Sequence, residues 1–279
     1  MRCFTWKINT DDLISHLTIR YFLSDLIPMK NRFAFLLFFC FLSLHTFAQT
    51  KLSIVFIGNS ITQGKGGEKG FPPPTHAVNF LKEQKGIEDV SFANVGRSGS
   101  TTVDWLPETG KLFLLATKAA DSLYLLKDHQ LIFSIKLGTN DSAIEGPNGA
   151  PVSKEGYKKN MQTIVSELLN KYPGSKVVIH HPIWYSTNTY NRSKYLAEGL
   201  ERLQSYIPEL DAMISEYKKT EPGRVFKGDT KAFKYFKKHH LKYFKPENGQ
   251  QGVFYLHPNE EGVAVLGKYW GKAIGKIKF

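Results

Sequence analysis

The sequence predicts an α/β fold, a three-layer α/β/α sandwich in which helices cover both faces of a central, mostly parallel sheet of five strands. Apolar, β-rich runs alternate along the chain with helix-like stretches. Their interval of about 40 residues is typical of βαβ units. The runs are almost continuously apolar, as expected of strands that are buried on both faces of a sheet.

The individual elements follow from local pattern. The predicted strands are Leu52–Ile57, Val90–Val95, Leu131–Leu137, Val177–His180 and a weaker run at Arg224–Phe226. The predicted helices are Thr75–Lys85, Lys111–Lys127, Ser153–Lys171, Arg192–Lys219 and Asn259–Lys276. Apolar residues recur at helical spacing in the third helix, at Tyr157, Met161, Ile164, Val165, Leu168 and Leu169. Pro173 and Gly174 then end that helix.

Composition excludes several classes of protein. The 279 residues are 42% hydrophobic and 22% charged, which excludes a disordered chain, a collagen and a coiled coil. The only cysteines, Cys3 and Cys40, cannot form a disulfide framework. The net charge of +12 is compatible with acidic partners but carries no information about the fold.

The N-terminal region predicts export. Residues 29–49 begin with Met29, Lys30 and Arg32, continue as an apolar run and end in small residues, which is the order of a secretory signal peptide. Residues 1–28 would then be a mis-assigned start, and residues 50–279 a single exported domain, periplasmic or secreted. Cys40 lies inside the apolar run without a preceding small residue, so we expect no lipid anchor. A buried core helix is the alternative for this run.

Polar side chains follow the predicted strands. Ser60 comes directly after the first, Asn94–Thr101 after the second and Asn140 after the third, and His257 precedes the last helix. Ligand sites of parallel sheets lie beyond the carboxyl ends of the strands, so these residues are candidates for one site. Each also has a structural alternative, because Ser and Asn cap helices, glycine-rich loops form turns, and a solitary His is often structural.

Taken together, the four segments resemble the SGNH hydrolases, also called the GDSL family of esterases and lipases. The family's G-D-S-[LI] block corresponds to Gly58–Ile61, and its N-x-x-x-S-G-x-T block to Asn94–Thr101. Its G-x-N-D block corresponds to Gly138–Asp141, and its final His-Pro to His257–Pro258. The resemblance spans about residues 51 to 275 and implies a flavodoxin-like fold.

The resemblance also implies a mechanism. Ser60 would be the nucleophile that attacks an ester carbonyl, and His257 the base that accepts its proton. The backbone N–H groups of Ser60 and Gly99 and the side-chain amide of Asn140 would form the oxyanion hole. No metal ion and no organic cofactor is implied.

The chain departs from the family pattern at two positions. Asn59 replaces the usual Asp of the first block, which we expect to change local hydrogen bonding only. Phe254 stands where the family places the Asp that orients the catalytic His, and Phe cannot accept a hydrogen bond. Either a backbone carbonyl holds His257, or a carboxylate comes from elsewhere, the candidates being Glu247, Glu260, Glu261 and Asp141, or the enzyme is weakened or inactive. We expect an active Ser–His dyad.

Substrate contacts are suggested by residues that follow the fourth strand. Trp184 and Tyr185 are placed to stack on a sugar or to line an acyl pocket, and His181 is a further candidate; packing in the core is the alternative. Residues 224–245 interleave Lys with aromatic residues, a pattern that fits either contact with a polyanionic glycan or an amphipathic helix. Export argues against nucleic acid as a partner.

Three functions fit these observations. The first is an exported esterase that removes acetyl groups from carbohydrate. The second is a lipid-directed esterase, either a lysophospholipase or a thioesterase, and the third is a non-catalytic glycan-binding relative. We expect the first, acting on a small-molecule or glycan ester.

Overall fold

Five parallel strands form the central sheet of the computed structural model, which describes residues 49–278. In chain order they are β1 (Thr50–Gly58), β2 (Ile87–Asn94), β3 (His129–Lys136), β4 (Lys176–Ile179) and β5 (Val225–Lys227). Their order across the sheet is β2–β1–β3–β4–β5, and every neighbouring pair is parallel. The predicted α/β class is confirmed. Strand order reverses between β1 and β3, where ligands bind in sheets of this type.

Eight α-helices lie within the described residues. They are α1 (Ser60–Gln63), α2 (Pro73–Lys82), α3 (Lys111–Tyr124), α4 (Lys154–Lys171), α5 (Leu196–Thr220), α6 (Ala232–Lys238), α7 (His240–Tyr243) and α8 (Glu260–Ile274). The five predicted helices correspond to α2, α3, α4, α5 and α8, with ends that differ by a few residues. Helix α2 begins at Pro73 rather than Thr75, because proline is favoured in the first turn of a helix.

Helices cover both faces of the sheet. Phe56 of β1 stacks on Trp270 of α8, with ring centroids 6.3 Å apart. Phe133 of β3 is in register with Val55, the neighbour of Phe56, so its side chain points to the opposite face. There it packs on Tyr172, the residue that follows α4, at 5.4 Å. The three layers predicted from the continuously apolar strands are therefore present.

A separate antiparallel hairpin, which the sequence analysis did not predict, precedes α8. Its strands are β6 (Phe244–Gly249) and β7 (Gly252–Pro258). The residues just before it form β5, α6 and α7 rather than one amphipathic helix. Phe236 and Phe244 are buried there while Lys237 and Lys238 are exposed, so the aromatic residues of this stretch belong largely to the core.

The predicted signal segment at 29–49 and the extension at 1–28 lie outside the described residues, apart from Gln49. Residues 49–278 include no helix with the length and apolar character that a membrane crossing requires.

Candidate active site

Ser60 and His257 lie side by side although 197 residues separate them in sequence. Ser60 Oγ is 2.9 Å from His257 Nε2, within hydrogen-bonding distance. Ser60 follows the carboxyl end of β1, and His257 is the penultimate residue of β7. Both side chains are largely buried, with 7% and 3% of their surface exposed. The expected nucleophile, Ser60, and the expected base, His257, are thus in contact.

The turn that carries Ser60 explains why Asn59 is tolerated there. Asn59 is the N-cap of α1, and its Oδ1 accepts a hydrogen bond from Ile61 N at 3.1 Å. A carboxylate oxygen would accept the same bond. Gly58 allows the turn to pack closely, because a Cβ atom at this position would overlap Thr62 and the carbonyl oxygen of Lys136.

A carboxylate reaches the other nitrogen of the imidazole. Glu247 Oε1 lies 2.8 Å from His257 Nδ1. Glu247 belongs to β6 and His257 to β7, so one hairpin supplies both groups. Residue Phe254, at the position of the family's usual Asp, pairs directly with Glu247 across the hairpin. The acid therefore lies on the adjacent strand, opposite the position where the family pattern places it.

An irregularity in the hairpin aims His257 toward Glu247. Pro246 pairs with Tyr255 and Phe244 with Pro258, so β7 advances three residues while β6 advances two. Such a bulge re-aims the side chains beside it, because strict alternation of side chains is lost at the extra residue. Without the bulge, alternation from Phe254 would direct His257 to the opposite face of the hairpin. Instead, the side chains of Phe254 and His257 line the same cavity.

This contact corrects the expectation of a Ser–His dyad. The other candidate carboxylates are occupied or exposed. Asp141 accepts hydrogen bonds from Thr102 N at 2.7 Å and Thr102 Oγ1 at 2.5 Å. Glu260 and Glu261 are exposed in the first turn of α8. The three groups Ser60, His257 and Glu247 form the geometry of a catalytic triad.

The loop after β2 contributes Ser98 and Gly99 to the cavity that Ser60 also lines. Gly99 has a φ of +78°, a conformation that favours glycine. On either side of it, Ser98 N donates to Gln63 Oε1 and Ser100 N donates to Arg97 O. Within residues 49–278, no acceptor engages the Gly99 N–H, which leaves it available to a ligand. Ser60 N lies at the first position of α1, where backbone N–H groups have no partner within the helix.

The Asn140 amide is held in a fixed orientation. Its Nδ2 donates one hydrogen to Ser100 O at 2.8 Å, and its Oδ1 accepts from Tyr195 Oη at 2.8 Å. No acceptor among residues 49–278 engages the second Nδ2 hydrogen, which remains for a ligand. Tyr195, which sequence reasoning missed, therefore decides which end of the amide is presented to the cavity.

The pKa values of the His257–Glu247 pair favour a neutral imidazole beside a carboxylate. Burial lowers the pKa of His257 below its ordinary value of 6.5, and the charges of Lys65 and Lys136 lower it further, while Glu247 acts in the opposite direction. Burial alone would raise the pKa of Glu247, but the hydrogen bond and charge of His257, with Lys65, hold it below 4.5. At neutral pH, His257 Nε2 is thus free to accept a proton.

A buried ionisable group lies behind the site. Lys136, the last residue of β3, is almost completely buried and donates to Thr139 Oγ1 at 2.8 Å. Burial lowers the pKa of Lys136 to about 7, although the charge of Asp141 acts against this shift. Burial also raises the pKa of Asp141 to about 6. Neither side chain lines the cavity to which Ser60 and His257 contribute.

The expected site residues line one cavity of about 430 Å³. Ser60, Gly99, Asn140 and His257 all contribute to its wall. Several other lining residues were not predicted from the sequence. Four of them belong to the loop between β4 and α5, and the other two follow α1 or lie in β6: Asn191, Arg192, Ser193, Tyr195, Lys65 and Asn248. In the sequence, only the position of the loop between β4 and α5 points to a role in the site, because its residues have no characteristic spacing.

The expected substrate contacts after β4 do not line this cavity. Tyr185 is fully buried and its hydroxyl hydrogen-bonds Ser142 Oγ at 3.0 Å. Trp184 packs on Phe244, with ring centroids 5.8 Å apart. His181 Nε2 lies 2.9 Å from Asp211 Oδ1. The chain turns inward after β4, so these side chains pack in the core, which is the alternative that the sequence left open.

The described part of the chain contains no cluster of three or more His, Cys, Asp or Glu side chains that could hold a metal ion.

Comparisons with known proteins bear on the family and the fold of the chain. The sequence model of the GDSL-like lipase/acylhydrolase family matches residues 56–265. No curated protein sequence matches the chain. Among solved structures, the lipase/acylhydrolase from Enterococcus faecalis has 18% identity and a TM-score of 0.51, covering 82% of this chain and 99% of its own.

Two further structures are of named esterases. The acetylxylan esterase Axe2 from Geobacillus stearothermophilus has 15% identity and a TM-score of 0.53, with 82% of this chain and 96% of Axe2 covered. The carbohydrate acetylesterase Est24 from Sinorhizobium meliloti has 15% identity and a TM-score of 0.50, with 81% and 100% covered. At such identities, these similarities establish the fold.

Proposed function

The chain belongs to the GDSL-like lipase/acylhydrolase family of carboxylic ester hydrolases, and we propose that it is a serine esterase that removes short acyl groups, chiefly acetyl, from carbohydrate. The observation that carries this proposal is the contact of Ser60 Oγ with His257 Nε2, at 2.9 Å, while Glu247 binds His257 Nδ1. This arrangement can activate a serine hydroxyl without any cofactor.

In the proposed reaction, Ser60 Oγ attacks the ester carbonyl carbon and His257 Nε2 takes the hydroxyl proton. Glu247 accepts the Nδ1–H, which fixes the imidazole tautomer and stabilises the imidazolium. The negative charge on the carbonyl oxygen is met by the N–H groups of Ser60 and Gly99 and by Asn140. His257 then protonates the departing sugar hydroxyl. Water, deprotonated by His257, then attacks the acyl carbon. The bond from this carbon to Ser60 Oγ breaks, His257 returns the proton to Oγ, and the carboxylic acid leaves.

The lining of the cavity supports a short acyl group. Its apolar side chains are Phe254 and Leu256, together with the ring of Tyr195, and most of the remaining wall is polar or charged. A long acyl chain needs a continuous apolar wall, since each buried CH₂ contributes about 0.8 kcal/mol. Among the similar folds are enzymes named as an acetylxylan esterase and a carbohydrate acetylesterase. We also propose export, on the basis of the signal-like residues 29–49.

The proposal is tested by the chain-length preference of the enzyme. With p-nitrophenyl acetate, butyrate and octanoate, we expect kcat/KM to be highest for acetate and at least about tenfold lower for octanoate, because the longer chain finds no apolar wall. The enzyme should also release acetate from acetylated xylo-oligosaccharides. Higher kcat/KM for octanoate than for acetate would favour the lipid-directed esterase, and a total lack of ester hydrolysis would favour a non-catalytic relative.

The orientation of Asn140 gives a second prediction. Removing the Tyr195 hydroxyl frees the amide to rotate, and we expect Tyr195→Phe to lower kcat about fivefold while KM changes little, since one net hydrogen bond contributes about 1 kcal/mol. Tyr206→Phe is the matched control, because Tyr206 is also a buried tyrosine with a hydrogen-bonded hydroxyl, donated to Val152 O at 2.6 Å. Equal losses of kcat in both variants would show that Tyr195 acts only through stability.

A further inference from the structure

A second cavity continues the active-site cavity along the surface. It has a volume of about 660 Å³, and Ser98, Gly99 and Ser193 line both cavities. The loop after β2, which carries Gly99, and the loop before α5, which carries Ser193, therefore form the border between them. Each cavity alone has the volume of a typical ligand site, so together they have room for more than the acylated sugar unit.

Four basic side chains line this combined cleft. Lys65 and Arg192 belong to the active-site cavity, whereas Arg97 and Lys111 belong to the second. All four are exposed. No described carboxylate lies within ion-pair distance, 4.0 Å, of any of them. None of the four is therefore neutralised by a carboxylate in direct contact, although the charge of Lys65 acts on Glu247 at longer range.

The acidic groups of the cleft are already engaged. Glu247 holds His257, as described above. Asp104, in the second cavity, accepts from Asn148 Nδ2 at 2.8 Å and from Thr101 N at 2.9 Å. Four cations thus oppose two carboxylates that have other partners. Lys111 also stands at the first position of α3, a helix with no acidic residue in its first turn, so the positive end of the helix dipole adds to the field.

From this charge distribution we infer that the esterase substrate is an acetylated saccharide that carries carboxylate groups, and that Arg97 and Lys111 bind a carboxylate on a sugar near the acetylated one. The inference rests on the proposed esterase function. A guanidinium group binds a carboxylate through two parallel hydrogen bonds, and a cleft with an excess of positive charge concentrates anionic ligands. A neutral glycan could accept hydrogen bonds from these side chains but would lack the stronger, charge-assisted bonds that a carboxylate forms.

The test compares two substrates with the same sugar chain and the same acetyl groups, one with free carboxylates and one with the carboxylates methyl-esterified. Acetylated oligogalacturonides are used as free acids and as their methyl esters, with acetate release as the readout. We expect kcat/KM to be about tenfold higher for the free acids at low salt, a ratio that falls as ionic strength rises. Equal kcat/KM values for the two substrates would overturn the inference, and so would failure to release acetate from either while Ser60-dependent hydrolysis of p-nitrophenyl acetate persists.

The double variant Arg97→Gln/Lys111→Gln assigns the preference to this cleft. We expect it to lower the ratio of the two kcat/KM values at least about fivefold, because both carboxylate contacts are lost. The matched control is Lys118→Gln/Lys159→Gln, which removes the same net charge from two exposed side chains that line neither cavity. If the control variant lowers the ratio equally, the preference comes from overall charge, and the inference that Arg97 and Lys111 bind a substrate carboxylate is refuted. If the wild-type protein hydrolyses no ester at all, the proposed function itself is refuted.

Discussion

Ser60→Ala is expected to lower kcat for p-nitrophenyl acetate by about 10⁵–10⁶-fold, because the variant has no atom that can form the acyl-enzyme. The residual rate should come from the oxyanion donors alone. Since Ser60 and His257 act as one unit, removing both is expected to cost little more than removing Ser60. The measurement is kcat for Ser60→Ala, for His257→Ala and for the double variant, with circular dichroism to verify that each is folded.

The control for this prediction is another serine of the same cavity. Ser98 also lines the cavity and is exposed, so Ser98→Ala should keep kcat within a few-fold of the wild-type value. A phosphonate inhibitor should add its mass to Ser60 in the wild type and to no residue of Ser60→Ala. Retention of most of the activity by Ser60→Ala would mean that the nucleophile lies elsewhere.

Much of the site could be predicted because parallel sheets place the ends of their strands together. Ser60 follows β1, Gly99 lies in the loop after β2, and Asn140 follows β3, so topology alone brings them to one edge. His257 is different. It lies on an antiparallel hairpin outside the central sheet, and only the resemblance to a family indicated its role.

Glu247 could be named as a candidate but not chosen from the sequence. Its contact with His257 depends on the register of the β6–β7 hairpin and on the extra residue in β7, which together determine the face on which each side chain lies. Asn248 and Gly249 form a turn signal, but a turn signal does not fix a bulge. The sequence also could not decide whether Trp184 and Tyr185 contact substrate or pack in the core, since composition does not distinguish a core aromatic side chain from one that lines a cleft. In the structure, both side chains are buried and neither lines the active-site cavity.

Glu247→Gln is expected to lower kcat by about 10³–10⁴-fold, because an amide can donate to Nδ1 and so favour the imidazole tautomer that cannot accept a proton at Nε2. The hydrogen bond from His257 Nδ1 to Glu247 Oε1, at 2.8 Å, is the contact at stake. Glu260→Gln and Glu261→Gln are the controls, because both carboxylates are exposed on α8, near His257 in sequence. We expect these controls to keep the wild-type kcat. Activity that survives Glu247→Gln within about threefold would restore the Ser–His dyad as the working mechanism.

The pH profile separates this role from a structural one. Catalysis needs neutral His257, so kcat/KM of the wild type should rise with pH through a midpoint below 6.5, because burial lowers the pKa of His257. Glu247 stabilises the protonated imidazole and so raises this pKa. Removing its charge must therefore move the midpoint of the acid limb to lower pH, along with the fall in kcat. A residue that merely supported the hairpin would lower activity without moving the midpoint, so a stationary midpoint in Glu247→Gln would exclude direct coupling between the carboxylate and the catalytic base.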